Sequence, residues 1–291
     1  MSWRSITDGS RRSANLNLVV VGGRESGDAT TTVQNYDPEI DVWSTLDDVP
    51  TPLAIHSAAG CGDSLYSIGG SDDDNDLNDV YQYDTDERSW AAVESLPETV
   101  TSGGATCVDS KIYSVAGSVD GETADTVYEY DTETNTWSTV AALPIEVESH
   151  AVASLNGKVY SVGGEADDQT DAVYEYDPDA DSWSEVASLP NSVQAHAVAA
   201  AGGKLYSLGG LEGSSISNAA YEYDPDADDW TSVADMPISD ASHAAAGVDG
   251  KVYLIAADDS SVFEYDPETD AWSEVADAPT DVTNHAVAVK P

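Results

Sequence analysis

The chain has 291 residues, with 10 Lys and Arg against 55 Asp and Glu and a formal net charge of −45. That charge excludes a nucleic-acid reader and a binder of anionic lipid heads, because both need a basic footprint to displace counterions. Leu, Ile, Val and Phe total only 54 residues, a share that with such a charge ordinarily signals disorder, but 15 Tyr and 7 Trp supply further core-forming side chains. Two cysteines, Cys61 and Cys107, are too few for a disulfide framework, and no apolar run approaches the roughly 18 residues of a membrane span.

Residues 1–15 read as an N-terminal tail. Its Arg11-Arg12 pair, followed by SANLNLVVVGG, faintly resembles a twin-arginine leader, yet the apolar stretch is short and fits a strand better. A cytoplasmic protein is therefore expected, with export as the alternative. Residues 16–291 read as a single repeat domain. Trp43, Trp90, Trp137, Trp183, Trp230 and Trp272 recur at spacings of 47, 47, 46, 47 and 42. Seven residues before each stands a tyrosine followed by aspartate (Tyr36, Tyr83, Tyr130, Tyr176, Tyr223, Tyr265), and seven residues after each stands a proline.

The fourth copy shows the local pattern. Lys158–Val162 is almost continuously apolar, which predicts a strand buried on both faces, and it stops at Gly163-Gly164. VYEYD alternates, with Tyr174 and Tyr176 on one side, and breaks at Asp177-Pro178, where proline fixes φ and aspartate bonds the following backbone. WSEV predicts a third strand, and His196–Ala200 beyond Pro190 a fourth. Each copy is thus one small antiparallel sheet. The first copy lacks a strand before NLVVVGG, while His285–Val289 at the other end matches HAVAS and HAVAA of other copies. The C-terminal strand is expected to complete the first sheet and join the two ends of the domain.

A hydrophobic run ending in Gly-Gly, then Tyr-Asp-Pro, then Trp resembles the kelch repeat. Gly-Gly is intact at residues 22–23, 69–70, 163–164 and 209–210, and altered to Ala116-Gly117 and Ala256-Ala257 in the third and sixth copies. The resemblance implies an all-β fold, a six-bladed β-propeller with four antiparallel strands per blade around a central channel.

All fifteen tyrosines and six of the seven tryptophans fall at repeat positions, as do His56, His150, His196, His243 and His285, each six residues after a blade proline; the third blade has Gly103 there. A residue recurring in every blade reads as scaffold. The histidines should ring one mouth of the channel, where they could bridge neighbouring blades or meet a polar ligand; a six-fold ring spaces them too widely for tetrahedral metal ligation. Lys111, Lys158, Lys204 and Lys251 share another position and read as solvated turn charges. Cys61 and Cys107, one position apart on successive inner strands, read as buried small hydrophobes.

Arg24 is the basic residue placed in a loop after the double glycine. Kelch domains that capture acidic peptides, and kelch enzymes that rearrange sialic acid, frequently place arginine three residues before the histidine; here that position holds Leu53, Val100, Val147, Val193, Asp240 and Val282. The loop SDDDNDLND, with Asp72, Asp73, Asp74 and Asp76, gathers carboxylates but lacks the ordered spacing and central glycine of a calcium loop.

The acids coat every blade, and with few lysines the composition resembles that of proteins from salt-accumulating halophiles. These features lead to the expectation of a noncatalytic, monomeric binding module without cofactor, presenting variable acidic loops to a protein or small polar ligand at high salt. The alternatives are a sugar-modifying kelch enzyme of the mutarotase or epimerase kind and a calcium-dependent surface protein.

Overall fold

Strands whose two faces are both apolar must be covered on both sides, and a ring of sheets stacked face to face covers each one with its neighbours. The computed structural model has this form. It describes residues 16–85, 87–257 and 259–290; the tail with Arg11-Arg12 lies outside the described residues. Six blades surround a channel, their innermost strands being Ala286–Lys290, Ser57–Cys61, Gly104–Val108, Ala151–Leu155, Ala197–Ala201 and Ala244–Val248 for blades one to six. The chain closes as its sequence predicts: Ala286–Lys290 pairs antiparallel with Asn17–Val21, setting Leu18 opposite Val289.

The core lies between blades. At the third seam Val108, Tyr113 and Val115 of blade three pack with Val159, Tyr174 and Tyr176 of blade four. Val159 and Val162 are wholly enclosed, and each such side chain stabilises the fold by about 1.5–3 kcal/mol.

The Tyr-Asp…Trp repeat has a second function beyond apolar packing. Tyr176 packs against Trp183 with the rings tilted by 41° and their centroids 5.1 Å apart, and its hydroxyl donates to Asp181 at 2.8 Å. Asp181 sits at φ 46°, in the hairpin turn, and the same carboxylate oxygen accepts the amide of Ala141 from the preceding blade. Trp183 Nε1 then donates to the carbonyl of that same Ala141. Both backbone groups of one residue are thus held by the next blade. Asp228 with Trp230, Asp270 with Trp272 and Asp41 with Trp43 repeat the clamp, and Asn135 with Trp137 substitutes an amide. In blade two Arg88 occupies the turn position, and Trp90 Nε1 donates to the carbonyl of Asp47.

The double glycine is required by close approach. Gly69 and Gly70 lie at φ 61° and 96°, and a Cβ on Gly69 would stand 2.5 Å from the carbonyl of Val100. In blade three the strand does not stop there as the repeat suggests. Lys111–Val119 bulges at Ala116-Gly117 and continues, pairing with the ten-residue strand Glu122–Asp131, so this hairpin is nearly twice as long as its five-residue counterparts. Gly103, standing where other blades have histidine, leaves the room: its Cα would contact a Cβ on Gly117 at 2.6 Å.

Candidate functional site

The residue before each histidine position carries the chain into the channel wall. Ile55, Ser102, Ser149, Ala195, Ser242 and Asn284 all adopt φ between 51° and 61°, a conformation that costs most residues energy and is kept where surrounding structure enforces it. What enforces it is a relay of backbone bonds around the mouth: Ile55 N donates to Asn284 O, Ser102 to Ile55, Ser149 to Ser102, Ala195 to Ser149 and Ser242 to Ala195, at 2.8–3.3 Å. With the histidines these residues line a cup of about 230 Å³ at the channel mouth.

The imidazoles face the seams. A Cβ on Gly70 would meet His56 Cβ at 2.5 Å, and one on Gly22 in the preceding blade would meet His56 Cε1 at 3.1 Å, so the side chain fills the gap between two double glycines. His196 and His243 sit the same way over Gly163 and Gly209. His243 Nε2 donates to Leu208 O and His285 Nδ1 to Val282 O. All five are buried, and burial pushes their pKa down to about 3 for His56 and His196 and about 4 for His150, His243 and His285. They are neutral at pH 7. The position three residues earlier is a buried seam position: the carbonyls of Leu53, Val100, Val147, Val193 and Asp240 accept the amide of the double glycine's second residue. Asp240 also accepts the amide of Ala257, tying blade six to its neighbour.

Above the cup, Arg24 does not stand alone. Its guanidinium contacts Asp73 at 2.5 Å and the carbonyl of Gly27, and Asp73 also accepts the amide of Ala29. Loops of blades one and two are thereby clasped. Asp72 turns onto its own loop, accepting the amides of Asp74 and Asn75, and these bonds hold its carboxyl below the usual range. The structure thus sends Asp72 and Asp73 to different partners; Asp74 and Asp76 lie in the same loop. Among the described residues no three of His, Cys, Asp and Glu converge to hold a metal.

The lysines remain part-exposed, as expected of turn charges that ease repulsion among nearby acids, and each has a defined acidic partner. Lys111 pairs with Glu129, Lys204 with Glu222, Lys251 with Glu264, and Lys158 with Asp177. The glutamates also accept the hydroxyls of Tyr113, Tyr206 and Tyr253, and Glu175 that of Tyr160. Strand pairing brings the partners together across one hairpin. Blades one and two replace the ion pair by neutral ones, Asn17 with Asn35 and Gln82 with Ser64.

The cysteines are a correction. Cys61 and Cys107 are joined in a disulfide across 46 residues, so they are neither free nor simply apolar filling. Their one-position offset is what brings them together, because Cys61 faces the seam and Cys107 lines the channel in the adjoining blade.

Six sheets closed into a ring, five of four strands and that of blade three with a fifth short strand, Val100–Thr101, carrying a repeated interior and variable loops at one end, define a repeat-built β-propeller. Residues 12–190 match the KLHDC2/KLHL20/DRC7 Kelch-repeats domain and residues 194–237 match the Kelch motif. The chain belongs to the kelch-repeat family, whose propellers generally bind proteins. Among curated proteins none matches it. Among the described residues no helix is long and apolar enough to cross a membrane.

Proposed function

We propose that this propeller is a noncatalytic, monomeric binding module that presents the loops around its channel mouth to a protein or small polar ligand, in a high-salt environment. The observation that carries the reading is the distribution of irregularity. At repeat positions the Asp–Trp clamps bond from blade to blade and the lysines, glutamates and tyrosines bond within a blade, whereas clefts with non-repeating linings open on the loop face. One, of about 380 Å³, lies among Arg24, Glu25, Thr280, Asp281 and Thr283. Another, of about 480 Å³, lies beside the long blade-three hairpin among Glu122, Ile145, Glu146 and Asp167. In this reading the five imidazoles shape the cup, the hydroxyls of Ser102, Ser149 and Ser242 meet a polar group entering it, and Arg24 serves an acidic group from the edge.

The net charge favours the high-salt part of the reading. With a net charge of −45, self-repulsion opposes the compact state unless screened, and at 1 M salt the screening length falls to about 3 Å. The test is capture in 3 M KCl by the native chain, by a variant with the six loops after the double glycines shortened, and by one altered only in the opposite turns around Gly202-Gly203. A partner retained by the first and third but lost by the second supports the module. Equal capture by all three refutes it.

A further inference from the structure

The seam between blades two and three differs from the others in several independent ways. It is the seam that lacks an imidazole, since Gly103 stands at the histidine position. Its link in the backbone relay, Ser102 N to Ile55 O at 3.3 Å, is the longest of the five described, the others measuring 2.8–3.0 Å. At the inner-strand position held by Cys107, the seams between blades one and two and between blades five and six instead carry Gly60 and Gly247. A Cβ on either would stand 2.0 and 1.8 Å from the carbonyls of Val289 and Ala200, so those strands meet backbone to backbone. At the blade two–three seam the disulfide takes over that role.

We propose that this disulfide is a redox-operated fastening of the ring, closed in oxidising surroundings and released by small thiols that enter through the channel. Access supports it: Cys61 is buried, but Cys107 is partly exposed and lines the central channel cavity of about 230 Å³ together with Gly60, Ser154 and Ala200. The thiolate of a dithiol attacks Cys107 Sγ, the sulfur–sulfur bond breaks, and its electron pair leaves on Cys61, which takes up a proton. The reductant's second thiol then displaces Cys107 as a thiolate, which is protonated in turn. The protein gains two thiols and the dithiol becomes a cyclic disulfide. The inner end of the seam is afterwards held by the long relay bond and by Ser57 Oγ donating to Gly103 O at 3.1 Å. The outer end keeps its clamp, Trp137 with Glu94. Release therefore loosens two blades from the channel outward and leaves the other four in place.

The test follows hydrogen exchange by mass spectrometry in 3 M KCl, with and without dithiothreitol, for the native chain and for Cys61→Ala/Cys107→Ala. The expected result is no free thiol in the untreated, denatured protein, and two after reduction. Exchange rises several-fold in Ser57–Cys61 and Gly104–Val108 and stays unchanged in Ala197–Ala201 across the ring. Opening the 46-residue crosslink lowers the melting temperature by about 6 °C. The double variant behaves as the reduced protein and ignores dithiothreitol. Two free thiols in untreated protein, an unchanged exchange pattern on reduction, equal acceleration in all blades, or a dithiothreitol response in the double variant would each overturn the proposal.

Discussion

Mild acid should unfold this protein through its histidines. Five imidazoles are held neutral in the seams, with pKa values of about 3 to 4 set by burial, whereas in the unfolded chain each returns to about 6.5. The sign follows directly. As the pH falls below 6.5 the unfolded chain binds protons that the folded one refuses until about pH 4, so stability drops with falling pH across that window. From pH 7 to 5.5 each histidine destabilises the fold by about 1.3 kcal/mol, and five together by about 6 kcal/mol. That loss is comparable with the whole stability of an ordinary domain, about 5–15 kcal/mol. The carboxyls of Asp181 and Asp270, held below the usual range by the amides and hydroxyls they accept, act in the same direction but at lower pH. Urea unfolding at constant 3 M KCl, in half-unit steps between pH 7 and 5.5, measures the slope. His196→Gln should remove one fifth of it, and the imidazole proton resonances of the folded protein should not titrate above pH 5. A stability that is flat or rises as the pH falls through this window refutes the buried-neutral assignment.

Other consequences can be measured separately. Asp181→Ala strips partners from the Tyr176 hydroxyl and the Ala141 amide and should cost about 1–3 kcal/mol in urea unfolding, while Asp179→Ala in the same turn stays within about 0.5 kcal/mol. Arg88→Asn installs at the first seam the amide that Asn135 supplies at the next, and should raise stability by about 1 kcal/mol. Deleting residues 284–291 removes the strand paired with Asn17–Val21; loss of the cooperative melt or a shift to oligomers by light scattering is expected, and unchanged melting and monomer mass would count against ring closure. Cooperative melting in 2–4 M KCl should disappear below roughly 0.3 M, where screening lengths exceed 5 Å, and a salt-independent melting temperature would remove the case for a high-salt protein.

The ring and its strands were legible because three aromatic and proline positions keep one register and because apolar runs end at glycine pairs. Asp181 and its counterparts were not. Among 55 acids an aspartate two residues before a tryptophan reads as one more surface charge, and only the left-handed turn shows it turned back toward Tyr176 and a neighbouring strand. The lysines were visible as a series, but their partners lie 18 residues on in blades three and five and 13 in blade six, a separation that varies with the loop between. The pairing of Arg24 with Asp73 was not legible because Asp73 is 49 residues away and sits within an acidic run. Cys61 and Cys107 were seen one position apart, but pairing depends on which way two side chains turn in adjoining blades, and strand periodicity within one blade does not carry that information.

The relay of amides around the channel mouth also sets what the cup can read. Hydrogen bonds running head to tail around the mouth point along its circumference rather than into the opening. The amides of Ile55, Ser102, Ser149, Ala195 and Ser242 already face neighbouring carbonyls, so these five N–H groups are not available to cradle a phosphate. Discrimination at this opening falls to the side chains standing on it, three serines and one asparagine. Exchanging those few residues could retune the opening while the circular backbone beneath stays intact.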